Sequence, residues 1–196
     1  MSTYGDPGSS AAAHDRQPRS SAAEHDPVEW MRQRWLERDA PLPDYFAAMA
    51  SLLRTSILLT DELDRILREH QLSRTAYLIL ITLQMSDRET RPLGQLSRAL
   101  LVHPTTVTLA VDQLAKSRLV RRMPHPSDRR TILAKLTPAG RAAAVAASSA
   151  LADACYGLSG LSGNAARRLT ADLSAVRSGL RNQAGARRGQ AGPSSK

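Results

Sequence analysis

The residues best suited to chemistry lie in one helix-forming segment, Pro104–Ser117. Val107, Val111 and Leu114 recur at i, i+4 and i+7, which is the spacing of a buried helix face. The exposed face carries mostly short neutral side chains in place of the usual mixture of lysine and glutamate; its members are Thr105, Thr106, Thr108, Leu109, Gln113 and Lys116. Hydroxyl and amide groups of this kind reach base edges and phosphates without charge repulsion. The segment is therefore predicted to be a recognition helix for DNA, although an ordinary solvated helix has the same periodicity.

A basic turn follows this helix and predicts a second DNA contact. Two β-prone runs, 119–123 and 131–136, flank a Pro-rich turn tipped with arginines. Arginine gains from the negative potential of a narrow A·T-rich minor groove, so we expect Arg130 in that groove and Arg129 on a phosphate. Asp128 is expected to brace an arginine two residues on by ion pairing. A helix followed by a basic hairpin predicts a winged helix-turn-helix.

One acidic residue interrupts the exposed face of the predicted recognition helix. Asp112 either pairs with a neighbouring arginine or accepts a hydrogen bond from a cytosine. The residues alone leave both alternatives open.

The elements that must position these side chains are mostly helices, several of them beginning at a cap followed by proline. The predicted fold class is mainly α with a small β-hairpin wing, a winged helix-turn-helix flanked by N- and C-terminal dimerisation helices. The apolar faces of the segment 44–70 and of the stripe Ala165–Leu180 are too wide for one small domain to cover, which predicts a homodimer. The predicted divisions are a disordered tail (1–26), an extra N-terminal helix (27–43), a dimerisation helix (44–70), the DNA-binding domain (71–136), C-terminal dimerisation helices (137–182) and a second disordered tail (183–196).

Charge is distributed unevenly along the 196 residues, and its distribution favours a polyanionic partner. Residues 91–136 carry nine Lys and Arg against two Asp, whereas residues 1–43 and 44–90 each have a net charge of −2. A basic surface also keeps proteins soluble, but its concentration in the predicted DNA-binding domain makes double-stranded DNA the expected partner. No apolar run approaches the roughly 20 residues that span a bilayer, and the N-terminus lacks a signal-peptide pattern. We therefore expect a cytoplasmic protein with no membrane partner.

Several function classes lack the residues that they need. The five histidines are scattered and Cys155 is the single cysteine, so no metal site is expected. The sequence shows no Gly-rich phosphate loop, no paired carboxylates and no Ser-His-Asp order that would indicate catalysis, so no cofactor, no catalytic residue and no enzyme activity are expected. Cys155 sits in an Ala-rich segment and is interpreted as a small buried apolar residue rather than a redox sensor.

Residues from about Asp44 to Leu180 resemble the MarR family of transcriptional regulators. The resemblance is sharpest at three motifs, Leu119–Arg122, Pro126–Arg130 and Leu136–Arg141. Residues of the predicted recognition helix match as well; they are Thr106, Val107, Thr108, Val111, Asp112 and Leu114. The resemblance implies a homodimer that pairs through its first and last helices, binds a palindromic operator as a repressor, and is often released by a small phenolic or aromatic ligand.

The sequence departs from this family at two places, within and just after the predicted recognition helix. Arg118 stands where the family usually has glycine, and a left-handed arginine would cost roughly 1 kcal/mol, so that turn is expected to be reshaped. Leu109 and Ala110 occupy a region where many relatives carry arginine, so the base preference is expected to differ.

An effector, if there is one, is expected between the dimerisation helices and the DNA-binding part, near Tyr45, Arg54 and Tyr77. Core tyrosines and a surface arginine explain these residues equally well. The segment Val28–Arg38 resembles the extra N-terminal helix of the urate-responsive MarR subgroup. That subgroup has Asp where Leu78 stands, and its recognition-helix arginine is missing here, so urate itself is not expected.

Two other classes compete with a sequence-specific regulator. A non-specific architectural DNA protein needs basic charge without a base-reading face, and the Thr/Gln face argues against it. An enzyme needs a catalytic constellation that the sequence does not show.

Overall fold

The computed structural model describes residues 26–128 and 130–190, and the chain forms two compact units that divide at Ser56 and Ile57. The fold is mostly helical with a small antiparallel sheet, which confirms the predicted class. None of the described helices combines the length and the apolar character needed to cross a membrane. The elements are α1 (Pro27–Leu36), α2 (Pro43–Glu69), α3 (Arg74–Gln84), β1 (Thr90–Pro92), α4 (Leu93–Leu100), α5 (Pro104–Lys116), β2 (Val120–Pro124), β3 (Ile132–Leu136), α6 (Pro138–Asp153) and α7 (Gly163–Gln190).

The first unit consists of α1 and the N-terminal half of α2. Asp26 caps α1 by accepting a hydrogen bond from the backbone N–H of Val28, and Pro27 occupies the first turn, where a missing N–H costs nothing. The indole of Trp35 stacks on Phe46 with the ring centroids 4.1 Å apart, and its Nε1 donates to the carbonyl of Pro41 at 3.0 Å. These contacts fold α1 back onto the start of α2.

The second unit has one apolar core, built by α3, α4, α5, α6, the sheet and the C-terminal part of α2. Its most completely buried large side chains are Leu67, Ile79, Leu80, Leu83, Leu96, Val107, Val111 and Leu151. Burying a leucine, isoleucine or valine contributes about 1.5–3 kcal/mol, so this core holds α5 firmly in place. The helix that presents the candidate DNA-binding face is thus positioned by its own buried side.

The sheet has three strands in the order β1-β3-β2, one more than the sequence predicts. Strand β1 pairs antiparallel with β3, with Arg91 opposite Ala134. Thr-Arg-Pro is too short to show the alternation typical of a strand, and β1 is specified by its pairing with β3. The hairpin of β2 and β3 is present as predicted, with Arg122 opposite Ala134 on the other edge.

The last helix also extends further than the sequence predicts. α7 continues to Gln190, whereas the sequence predicts an end near Asn182 and a loose tail from residue 183. Ala184, Ala186 and Arg187 favour helix, and Gly185 costs only about 1 kcal/mol. The predicted disorder of residues 1–25 and 191–196 lies outside the described residues, as does the predicted phosphate contact of Arg129.

Candidate DNA-binding interface

α5 presents a continuous exposed crest opposite its buried face. His103 caps the helix, its Nδ1 accepting from the backbone N–H of Thr105 at 3.3 Å, and Pro104 fills the first turn. Val107, Val111 and Leu114 are buried, so the residues that lie opposite them at helical spacing are Thr105, Leu109 and Lys116. All three are exposed. The crest therefore has a hydroxyl near its start, an apolar side chain in its middle and a cation at its end.

The remaining predicted contacts of α5 lie on the two sides of this crest. Thr106 and Gln113 are exposed, and Gln113 borders a groove beside the start of α3. Thr108 is half-buried, and its hydroxyl donates to the carbonyl of Pro104 at 3.0 Å. That donor is therefore occupied, and Thr108 offers a DNA base only its oxygen lone pairs and its methyl group.

Asp112 is paired within the protein. Its carboxylate forms an ion pair with the guanidinium of Arg122 on β2. Both side chains are partly exposed, so the pair contributes at most about 1 kcal/mol. Its larger effect is electrostatic, because it neutralises the acidic group on α5 that would repel DNA phosphates.

The turn of the wing is organised by Asp128. Its Oδ1 accepts from the backbone N–H of Arg130 at 3.0 Å, and its Oδ2 accepts from the hydroxyl of Thr131 at 2.6 Å. In the described part of the chain the expected ion pair with the Arg130 guanidinium is not formed, because the carboxylate caps the turn instead. The Thr131 hydroxyl, the Arg130 N–H and the nearby His125 together lower the pKa of Asp128 from its ordinary value.

A groove of about 580 Å³ separates the wing from α4 and α5. Arg98 of α4, Arg122 of β2 and Arg130 of the wing all border it, beside Thr108. Arg98 is not among the contacts that the sequence predicts; its signal there is a basic residue on the polar face of the helix that precedes α5. The groove thus brings the guanidinium groups of three elements together next to α5; Asp112 compensates the charge of Arg122, and Asp128 also borders the groove.

The turn after α5 is fixed by contacts with residues at the start of α6. Arg118 keeps a left-handed backbone with φ 59°, so the expected reshaping does not occur. The Thr137 hydroxyl lies 2.8 Å from the carbonyl oxygen of Arg118 and 2.9 Å from that of Leu119, and it accepts from the N–H of Gly140 at 3.0 Å. A Cβ at Gly140 would collide with the carbonyl oxygen of Leu119. The left-handed turn and the start of α6 therefore form one tightly packed joint.

A largely apolar cavity of about 470 Å³ lies between α2, α3 and α6 within the second unit. The hydroxyl of Tyr77 is hydrogen-bonded to that of Ser148 at 3.1 Å, and Arg74 donates to Asp64 at 3.2 Å and to the carbonyl of Thr60 at 3.4 Å. Its lining residues are Leu59, Leu63, Leu67, Arg74, Tyr77, Leu78, Ile81, Met85, Ser148, Leu151, Tyr156 and Leu158.

Of the three predicted effector contacts, one is a lining residue of this cavity. Tyr77 lines the cavity, whereas Tyr45 and Arg54 belong to the first unit, are exposed and are not lining residues.

Cys155 is exposed, which corrects the expectation of a buried thiol. It follows α6 in a left-handed turn with φ 48°, so it leaves the helix face on which it was placed. Over residues 26–128 and 130–190, no cluster of three potential metal-ligating side chains occurs.

Both long helices carry exposed apolar side chains that a monomer leaves in water. On α2 these include Tyr45, Met49, Leu53, Ile57 and Leu58. On α7, Leu169, Val176 and Leu180 are exposed along the predicted stripe.

Known proteins resemble this chain in sequence. Residues 72–132 match the family model described as MarR family. The HTH-type transcriptional regulator PecS of Dickeya dadantii (strain 3937) is 33% identical over 96 residues, which make up 47% of this chain and 56% of PecS, so the match spans little more than half of that relative.

Two solved structures from Streptomyces coelicolor are also similar. Sco5413, a MarR family transcriptional regulator, is 29% identical with a TM-score of 0.65, over 71% of this chain and 96% of its own. Sco3205, a MarR family transcriptional regulator in complex with DNA, is 26% identical with a TM-score of 0.62, over 68% of this chain and 88% of its own.

Proposed function

We propose that this chain, whose residues 72–132 match the MarR family model, is a winged helix-turn-helix repressor that binds a pseudo-palindromic operator as a homodimer. The observation that carries the proposal is the cationic groove beside α5. Arg98, Arg122 and Arg130 border it, and Arg122 neutralises Asp112 on the helix itself. Cations in the groove can contact DNA phosphates and supply affinity. The mostly neutral exposed face of α5 can contact base edges and supply specificity. The same proposal includes a cytoplasmic location, because a protein that binds operators must share a compartment with the DNA.

The geometry of the operator follows from the proposed two-fold symmetry. Two symmetric helix-turn-helix domains enter successive major grooves on one side of the duplex, so the half-site centres should lie about 34 Å apart. The solved Sco3205 structure, a complex with DNA at 26% identity, supports DNA as the partner.

Selection of random duplexes on the purified full chain, followed by sequencing, tests this function. A sequence-specific dimer should enrich two inverted half-sites about one helical turn apart. Enrichment of a single unpaired half-site would contradict the dimer. Equal affinity for every duplex, with a steep dependence on salt, would instead identify the alternative, a non-specific architectural DNA-binding protein.

We propose in addition that a small aromatic effector occupies the cavity between α2, α3 and α6. Its volume lies in the range of about 300–1,000 Å³ that ligand sites have. Arg74 is already compensated by Asp64, so the Tyr77–Ser148 hydroxyl pair is the polar group best placed to bind a ligand. After one hydroxyl donates to the other, a single O–H remains for the ligand. These properties favour an uncharged aromatic molecule with one hydrogen-bond acceptor, and this proposal rests on Tyr77 rather than on Tyr45 or Arg54.

A further inference from the structure

The middle of the α5 crest is occupied by a large apolar side chain in water. Leu109 is 66% exposed, although leucine is normally the residue that a helix buries. It lies four residues after Thr105 and seven before Lys116, on the side of α5 opposite Val107, Val111 and Leu114. The core therefore does not account for Leu109, which projects where the helix extends furthest from the protein.

The neighbours of Leu109 do not form an apolar patch around it. Thr105, Gln113 and Lys116 share the exposed face, and Asp112 is paired with Arg122. A docking site for another protein needs contiguous apolar area, and one leucine among polar residues does not provide it. Polar neighbours that can bind phosphates and base edges fit a surface that meets DNA.

The chemistry of leucine restricts what it can recognise in a major groove. It neither donates nor accepts hydrogen bonds, and the apolar group that a base edge offers there is the C5-methyl of thymine. We infer that Leu109 contacts a thymine methyl in each half-site and selects thymine over cytosine at that base pair. The inference rests on the proposed role of α5 as the recognition helix. It implies that the middle of this helix contacts a thymine methyl group instead of a guanine.

The test removes the methyl group and nothing else. Each thymine of the selected half-site is replaced, one at a time, by deoxyuridine, which keeps both carbonyl acceptors, and affinity is measured by fluorescence anisotropy on the full chain. One position should lose about fourfold in affinity per half-site, the equivalent of roughly 0.8 kcal/mol for one buried methyl group. Leu109→Ala should bind the thymine and deoxyuridine duplexes equally well at that position.

A matched control separates this effect from a general change in surface apolarity. Val145→Ala removes an apolar side chain that is 54% exposed on α6, and it should keep the full deoxyuridine penalty. Because Leu109 is exposed and alanine is a strong helix former, Leu109→Ala should keep the parent melting curve.

Two results would overturn the inference. In one, no deoxyuridine position weakens binding by the parent protein. In the other, the penalty persists undiminished in Leu109→Ala. Failure of the proposed function looks different, because a protein without sequence preference yields no selected half-site in which to place the substitutions.

Discussion

Arg118 adopts a conformation that its side chain disfavours, and its surroundings explain why. A left-handed non-glycine residue costs about 1–2 kcal/mol, yet φ is 59° here, where the Thr137 hydroxyl lies within hydrogen-bond distance of the carbonyl oxygens of both Arg118 and Leu119. The joint with α6 therefore fixes the turn whichever residue occupies it. An exposed arginine next to α5 also retains a cation close to the proposed DNA surface.

We expect Arg118→Gly to raise the free energy of unfolding by up to about 1 kcal/mol, since glycine relieves the strain but adds entropy to the unfolded chain. Urea denaturation measures this effect. Ser117→Gly, at a position with negative φ, is the control and should destabilise the protein. A less stable Arg118→Gly protein would show that the turn is not strained.

Asp128 combines a structural and an electrostatic effect of opposite sign. Its carboxylate caps the wing turn, but its charge repels DNA. We expect Asp128→Ala to weaken operator binding in anisotropy titrations, because losing the bonds to Arg130 and Thr131 loosens the wing. Asp153→Ala, which removes an equal charge at the end of α6, should bind at least as tightly as the parent. Tighter binding by Asp128→Ala would mean that repulsion dominates.

The same carboxylate predicts a pH dependence. Its pKa is lowered in the folded state, so its stabilisation of the turn is complete above the ordinary value of 3.8. It is lost as the pH falls below 3.8 through the lowered pKa. We expect the amide of Thr131, which donates to the Asp128 carbonyl, to stay protected from hydrogen exchange until that range.

At the scale of elements, α5 and the wing are expected to contribute differently to binding. Arg130→Ala should weaken operator binding by roughly 1–3 kcal/mol and relax an A·T preference in the flanks, because it removes a groove contact. Lys116→Ala should weaken all sequences about equally and lower the salt slope by about one, because it removes one phosphate contact. Thr106→Ala and Gln113→Ala should change the preferred bases. Unaltered affinity of Arg130→Ala would exclude the wing from the interface.

The sequence predicts the elements that have strong local signals. It does not predict features that depend on strand pairing or on side-chain positions in the folded chain. Helix α5 is predictable because His103–Pro104 marks its start and Val107, Val111 and Leu114 mark its face. Strand β1 is not, because its three residues are specified only by β3. The cation of Arg98 and the capping role of Asp128 depend on side-chain positions in space, which the order of residues along the chain does not reveal.

At the scale of the whole molecule, the exposed apolar residues of α7 predict an obligate homodimer. Leu180 is 61% exposed in the single chain, so Leu180→Glu should place a charge in the dimer contact and shift the protein towards monomer in sedimentation velocity. Val145→Glu, at an exposed apolar position on α6, should remain dimeric. A parent protein that sediments as a folded monomer at micromolar concentration would contradict the dimer.

The proposed effector cavity between α2, α3 and α6 leads to a prediction on the same scale. Tyr77→Phe removes the hydroxyl that bonds Ser148, and it should weaken binding of the neutral probe 2-naphthol by about 1 kcal/mol in calorimetry. Tyr45→Phe and Arg54→Ala, whose residues lie outside the cavity, should bind the probe as the parent does. Equal affinity in Tyr77→Phe would remove Tyr77 from the site.

Helix α6 gives this architecture a mechanical property. One end is clamped at the Thr137–Gly140 joint, and Ser148 and Leu151, near the other end, form part of the cavity wall. Its 16 residues make a stiff rod about 24 Å long. The Thr137 hydroxyl at the clamped end contacts the carbonyl oxygens of Arg118 and Leu119, in the turn that follows α5. Helix α6 is therefore one continuous element that reaches from the wall of the cavity to the turn that follows α5.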